Sequence, residues 1–257
     1  MKSRVVVLGG CGAWPEPGRA CSGFLLERDG FRVALDLGYG TLSRLLALLS
    51  STTAAGLDAV VVTHDHPDHV VDLHGLFRAR LYDGQQLPRI PLYAPEAVLE
   101  RIAGLEDGER SLTERVFAWH PLPAGGYDLG PFRLESWSLP HYVPNAGVRL
   151  SAPEFIVAYT GDTGPDPALA DVGRDADLFI VDATDRHQHA GNPPGAQPPM
   201  NLTARGAGEA ATAAGAHRLM LTHFWPGNDR DRSRAAAAEA FSGEILIADE
   251  GAVVDLH

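Results

Sequence analysis

Six consecutive residues limit what this chain can become more than anything else in it: His64-Asp65-His66-Pro67-Asp68-His69, an HxHxDH pattern directly behind the apolar run Ala59 to Val62. The chain has 257 residues and 11 histidines. At that composition chance yields the four-position pattern roughly 0.0015 times per chain. Pro67 suits the first position of a helix, so Asp68 and His69 fall in its first turn, while His64 and His66 sit on the loop before it. Imidazoles and carboxylates are the ligands preferred by zinc and, to a lesser degree, by iron or manganese. Gathering them without a metal costs repulsion and desolvation. One hexapeptide cannot wrap four ligands around a single ion, so two ions, or one ion with ligands from elsewhere, follow.

The remaining ligands should lie at other strand ends. His141 follows the run Phe132 to Leu139; Asp162 ends Tyr159-Thr160-Gly161-Asp162-Thr163; His223 ends Met220-Leu221-Thr222-His223, a parallel of Val61-Val62-Thr63-His64. Further apolar runs end in polar turns: Arg4 to Leu8 before Gly9-Gly10-Cys11-Gly12, Arg32 to Leu35 before Asp36, Leu178 to Val181 before Asp182, and Glu244 to Ile247 before Asp249. Such runs read as strands feeding functional loops. Leucines 42, 45, 46 and 49 make the apolar face of a helix over Thr41 to Leu49. The alanine-rich stretches Ala204 to Ala216 and Ser233 to Phe241 suit helices packed closely on a sheet. From Ile90 through Trp137 the pattern reads as strands with one helix near Pro95 to Ile102, and the prolines of Asp185 to Met200 require a loop. No composition break marks a linker, so residues 1–257 are expected to form one α/β domain with sheets covered by helices.

HxHxDH followed in order by a histidine, a Gly-Asp-Thr aspartate and a late Thr-His resembles the metallo-β-lactamase superfamily over nearly the whole chain. The resemblance implies a four-layer αββα sandwich with a two-metal site at one edge. By position it implies that His64, His66 and His141 hold the first metal, that Asp68, His69 and His223 hold the second, and that Asp162 bridges them. Leu8-Gly9-Gly10-Cys11-Gly12-Ala13-Trp14-Pro15, Asp36-Leu37-Gly38-Tyr39-Gly40 and His223-Phe224 are similar to the ribonuclease Z and phosphodiesterase branch, where an aspartate is the bridge. Two departures stand out. The stretch from Asp162 to His223 leaves no room for the long arm of transfer-RNA-processing members, and Asn201-Leu202-Thr203 stands where that branch tends to show His-x-Thr. Asparagine donates a hydrogen bond but does not titrate.

Two metals can lower the pKa of a water between them towards 7 and neutralise charge on a phosphoryl or acyl oxygen. The expectation is therefore a binuclear metal-dependent hydrolase, a phosphodiesterase for small or cyclic nucleotide-like esters, with zinc first and manganese or iron as alternatives. Asp68 and His223 are the catalytic candidates at the metals. Asn201 and Thr203, or His187 and His189, are candidates for assisting the leaving group, with Asn201 restricting the enzyme to good leaving groups. A thioester, lactone or lactam hydrolase is the second reading and a transfer-RNA 3′-processing nuclease the third. The balance of 21 basic against 33 acidic side chains, a net charge of −12, has the wrong sign for a surface that binds long nucleic acid. Up to two dications would nonetheless make a local anion-attracting site. The expected partner is thus a small-molecule ester, with a homodimer allowed.

A nucleotide-binding loop at Gly9-Gly10-Cys11-Gly12 fails because Pro15 takes the third glycine position of GxGxxG. Cys11 and Cys21 form no CxxC motif and read as small buried thiols. The apolar run after Met1 is too short for a signal peptide or a membrane span, which makes a cytoplasmic protein the default. Trp14 and Trp225, each in a turn beside a motif, are candidates for walls of a substrate cleft.

Overall fold

A computed structural model describes residues 3–84, 87–106, 108–188 and 199–256. Strands β1 (Ser3–Gly9), β2 (Gly23–Arg28), β3 (Phe31–Leu35), β4 (Ala59–Val61), β5 (Ile90–Ala94) and β6 (Phe117–Pro121) form one sheet, to which β14 (Val253–Leu256) adds itself beside β1. Strands β7 (Tyr127–Leu129), β8 (Phe132–Leu139), β9 (Asn145–Ser151), β10 (Ile156–Tyr159), β11 (Leu178–Asp182), β12 (Arg218–Thr222) and β13 (Glu244–Ile247) form the other.

Most of the central strands are apolar on both faces, and the two-residue repeat of a strand sends alternate side chains to different layers. Val5, Val7, Phe24, Leu26, Val33, Leu35 and Val61 point inward and meet Val157, Tyr159, Leu178, Ile180 and Met220 of the second sheet. Val6, Leu8, Leu25, Ala34, Val60 and Val62 point outward against α1 (Thr41–Leu49), α2 (Pro67–Tyr82) and α3 (Glu96–Gly104) through Leu45, Val70, Leu73, Phe77 and Val98. Phe179, Val181, Leu219 and Leu221 do the same for α5 (Leu169–Val172), α6 (Ala204–Ala214) and α7 (Arg230–Ala238). Three apolar layers between four layers of secondary structure are the αββα sandwich. The alanines of α6 and α7 allow close approach: a Cβ on Gly208 of α6 would lie 2.5 Å from the Ala237 carbonyl oxygen of α7. Phe179, fully buried in the outer layer of the second sheet, is a position where truncation to alanine costs about 3–5 kcal/mol.

Several elements differ from the sequence reading. The middle of the chain holds two helices, since α4 (Arg110–Val116) follows α3; its single turn of apolar spacing, Leu112 to Val116, is too short to register as a helical face. Helix α7 starts at Arg230, before the alanine run, because the Asp229 side chain accepts from the backbone N–H groups of Asp231 and Arg232. Strands β2 and β14 carry charged residues among few apolar ones and give little signal alone; β1 pairs with both. The Pro-rich stretch 189–198 lies outside the described residues. Among the described residues no helix is long and apolar enough to cross a membrane.

The topology decides where the site forms. Strands β3 to β6 run parallel to one another, as do β10 to β13. Strand β8 is antiparallel to β9, which is antiparallel to β10, so β8 points the same way as β10. The carboxyl ends of these strands gather at one edge of the sandwich, and open α/β sheets place ligands outside such ends.

Candidate metal centre

Every HxHxDH residue type has its own place at that edge. His64 follows β4, His66 is the last residue before α2, and Pro67 opens the helix so that Asp68 and His69 occupy its first turn. His141 follows β8, Asp162 follows β10 and His223 follows β12. Gly161 makes the turn into Asp162 at φ +59°, and a Cβ there would lie 2.5 Å from Asn145 Oδ1.

These side chains converge into two nests that share one carboxylate: His64, His66, His141 and Asp162, and Asp68, His69, Asp162 and His223, with candidate donor atoms within 4.8 Å of one another in each. In the first nest His66 Nδ1 lies 3.2 Å from His64 Nε2 and 3.1 Å from His141 Nε2. Asp162 Oδ2 is 3.9 Å from His64 Nε2 and 3.6 Å from His141 Nε2. In the second, His223 Nε2 is 3.0 Å from Asp68 Oδ2 and 3.1 Å from Asp162 Oδ2, and His69 Nε2 is 3.2 Å from Asp162 Oδ1. A tetrahedral ion with bonds near 2.1 Å has ligand–ligand edges of about 3.4 Å, which is the spacing found.

The groups behind the nests fix the rings. Thr63 Oγ1 donates to Asp36 Oδ2 at 2.9 Å and accepts from His64 Nδ1 at 3.0 Å. His69 Nδ1 donates to Asp36 Oδ2 at 2.7 Å, and His141 Nδ1 donates to the Met200 carbonyl at 2.8 Å. His223 Nδ1 donates to Thr184 Oγ1 at 2.7 Å, whose hydroxyl donates to Asp182 Oδ1 at 2.5 Å. Four rings therefore turn the Nε2 lone pair inward, the arrangement by which outer carboxylates and carbonyls orient metal-binding histidines. Buried His69 Nε2 and Asp162 Oδ1 have no hydrogen-bond partner among the described residues although they face each other. Two orphaned, buried, inward-facing polar atoms and lone pairs gathered within about 3 Å of one another are what a divalent cation satisfies and what a dry pocket does not tolerate. The residues present fit two ions.

The electrostatics divide in the same way. Burial lowers the pKa of His64, His66 and His141, so these three imidazoles are held neutral. Burial also opposes charge on His69 and His223, but Asp162 and Asp68 outweigh it, raising His69 well above its usual value and His223 to about 9. Asp68 and Asp162 are likewise opposed by burial and held low by these two histidines. Asp182, by contrast, is raised to about 6 by burial and by Asp162. Without metal, protons on His69 and His223 supply the positive charge that the second nest needs.

The other expected residues have different surroundings. Asn201 Nδ2 donates to Asp182 Oδ2 at 3.0 Å, which places its amide behind His223 and ties it down. Thr203 is exposed and caps α6 by accepting from Gly206 N. His187 is exposed, and His189 lies outside the described residues. Cys11 and Cys21 are buried and free. The Gly9-Gly10-Cys11-Gly12 segment passes behind the second nest: Ala13 N donates to Asp68 Oδ2 at 2.7 Å, and a Cβ on Gly12 would lie 2.6 Å from the His223 ring. Its glycines admit neighbouring backbone and side chains. Asp36, Thr63, Asp182 and Thr184 received no role from the sequence, although Asp36 and Asp182 each closed an apolar run, which was the available signal.

A sandwich of this topology carrying two histidine–aspartate nests at its strand ends defines a metal-dependent hydrolase class. The beta-lactamase superfamily domain matches residues 31–224, and the chain belongs to that superfamily. It is 29% identical over 253 residues to the probable metallo-hydrolase YhfI of Bacillus subtilis (strain 168), covering 97% of this chain and 98% of that protein. The crystal structure of YhfI, a metallo-beta-lactamase fold protein, superimposes with a TM-score of 0.82 at 26% identity over 99% of this chain and 100% of that one. Ribonuclease Z of Kineococcus radiotolerans is 29% identical over 287 residues, 93% of this chain and 90% of that protein. A diphosphatase from the PhnP family shares the fold, with a TM-score of 0.76 at 18% identity over 99% of this chain and 98% of that one.

Proposed function

We propose that this hydrolase is a phosphodiesterase for small or cyclic nucleotide-like esters, served by two zinc ions. The observation that carries this reading is the shared carboxylate: Asp162 faces both nests with its two oxygens, and paired cations so held suit an anionic phosphoryl group. Five imidazoles with two carboxylates favour zinc over magnesium or calcium. His64, His66, His141 and Asp162 would hold one ion, and Asp68, His69, His223 and Asp162 the other; when bound, the pair supplies Lewis acidity and a nucleophile from water at neutral pH.

The protein's own groups do the rest. Ala13 N–H and His223 fix Asp68 Oδ2, so this carboxylate is positioned to orient a water or hold its proton. Asp182, through Thr184, keeps the proton of His223 on Nδ1 and leaves Nε2 facing inward. Asn201 supports that relay by donating to Asp182. The long-nucleic-acid reading is disfavoured by the net charge of −12, and ions at the nests give a small anion a local exception.

Metal analysis together with a substrate panel tests the proposal. About two zinc ions per chain are expected, with hydrolysis of bis(p-nitrophenyl) phosphate that chelation abolishes and zinc restores, and with a thioester hydrolysed far more slowly. Fewer than one ion per chain, hydrolysis indifferent to chelation, or faster turnover of the thioester would overturn it.

A further inference from the structure

Two tryptophans stand at the mouth of the second nest. Trp14 adjoins Ala13, whose N–H donates to Asp68, and Trp225 lies two residues beyond His223, with its backbone N–H on the carbonyl of Thr184 at 3.2 Å. Their rings are 5.1 Å apart at an interplanar angle of 76°, a right-angled corner rather than a closed stack. Trp14 is 50% exposed. Neither indole N–H meets an acceptor among the described residues, whereas Trp119 Nε1, under the helices of the first sheet, donates to the Ala94 carbonyl at 2.9 Å. The Arg186 guanidinium sits 4.9 Å from the centre of the Trp225 ring, and this exposed cation has no ion-pair partner among the described residues. An open aromatic face, unused N–H donors and an unpaired cation thus share one corner beside a candidate catalytic carboxylate.

We propose that Trp14, Trp225 and Arg186 form a stacking corner that receives the nucleobase of a nucleoside phosphoester while its phosphate reaches the nests. This rests on the phosphodiesterase reading and names its substrate class: an aromatic ring one short linker away from a negative charge. The base covers the open face of Trp14 and meets Trp225 beside it. Arg186, braced on Trp225, adds positive charge close to the sugar and phosphate. Base–aromatic stacking tolerates any base, so the corner selects nucleoside esters over alkyl esters without choosing among bases.

The test is binding of adenosine 5′-monophosphate against ribose 5-phosphate to the zinc-loaded protein, followed by calorimetry and by quenching of tryptophan fluorescence. Adenosine 5′-monophosphate is expected to bind more tightly and to quench, and ribose 5-phosphate to do neither. Trp14→Ala should weaken the nucleotide about ten-fold or more, the size of one base–aromatic stack, and leave ribose 5-phosphate unchanged. Trp225→Phe, which keeps an aromatic ring, should retain most of the affinity that Trp225→Ala loses, and Arg186→Ala should weaken both phosphates. Equal binding of the two probes, or nucleotide binding by Trp14→Ala and Trp225→Ala as tight as by the unaltered protein, overturns the proposal. If no diester is hydrolysed but the base preference depends on Trp14, the corner stands and the reaction assignment fails. If diesters are hydrolysed and the two probes bind alike, the corner alone fails.

Discussion

Replacing Asp36 by asparagine should remove one metal ion and leave the other. Asp36 is fully buried and accepts four hydrogen bonds: Thr63 N at Oδ1, and Thr63 Oγ1, His69 Nδ1 and Tyr159 Oη at Oδ2, all between 2.7 and 2.9 Å. The asparagine carbonyl takes the position with three donors, which turns its NH2 against Thr63 N–H. That donor–donor contact costs about 1–3 kcal/mol, and exchanging a charged for a neutral acceptor at His69 costs about 1 kcal/mol more. A loss of about 2–4 kcal/mol corresponds to a fall in Tm of roughly 4–16 °C for a chain of this size. His69 belongs to the second nest alone, and loss of an outer carboxylate weakens metal binding about 10- to 100-fold. Thr63 can still donate to the asparagine carbonyl and accept from His64, so the first nest keeps its orientation. After dialysis against a weak chelator, Asp36→Asn should therefore retain about one ion per chain where the unaltered protein retains about two. Loss of both ions, retention of both, or an unchanged Tm would refute the assignment of Asp36 as the group that holds His69.

Metal uptake by the metal-free protein should be pH-dependent with a defined sign. His69, raised, and His223, at about 9, carry protons at neutral pH that a cation must displace, while lowered His64, His66 and His141 carry none. Calorimetry in buffers of different ionisation enthalpy should thus show about two protons released near pH 7.5 when both nests fill, and affinity rising with pH until about 9; no release there would contradict the charge distribution. Gly12→Ala should push its Cβ into the His223 ring, 2.6 Å away, lowering zinc retention in the second nest; normal retention would show that the loop yields. Asn201→Ala should slow bis-aryl and alkyl phosphodiesters by the same factor, because the amide is bonded to Asp182. A loss confined to the alkyl substrate would instead make Asn201 a donor to the leaving group.

What the sequence disclosed follows from how local each signal is. The seven candidate ligands stand out because metal chemistry needs rare residue types at strand ends, and one hexapeptide supplies four of them. Asp162 and His223 took their meaning from company, each being an ordinary turn residue alone. The outer partners were hidden for a physical reason: Asp36 reaches His69 across 33 positions and Asp182 reaches His223 through Thr184 across 41, contacts that exist only once two sheets are packed. Asn201 shows the converse, since its residue type promised a free donor while the fold engages that donor inside the protein. Among the elements, β2 and β14 owe their conformation to β1, and no local pattern announces a strand whose stability comes from its neighbour.

Strands β1 and β14, the first and last described, lie side by side, joined by pairs such as Ser3 with Leu256 and Val6 with Val253. A chain emerging from its N-terminus has β1 long before β14, so one edge of the first sheet waits, unpaired and apolar on both faces, until nearly all the rest has been made. His223 also arrives late, after every other candidate ligand. Assembly of the metal centre and closure of that edge therefore belong to the same final stage, and a polypeptide halted before β12 would present a sticky strand edge and an incomplete nest together.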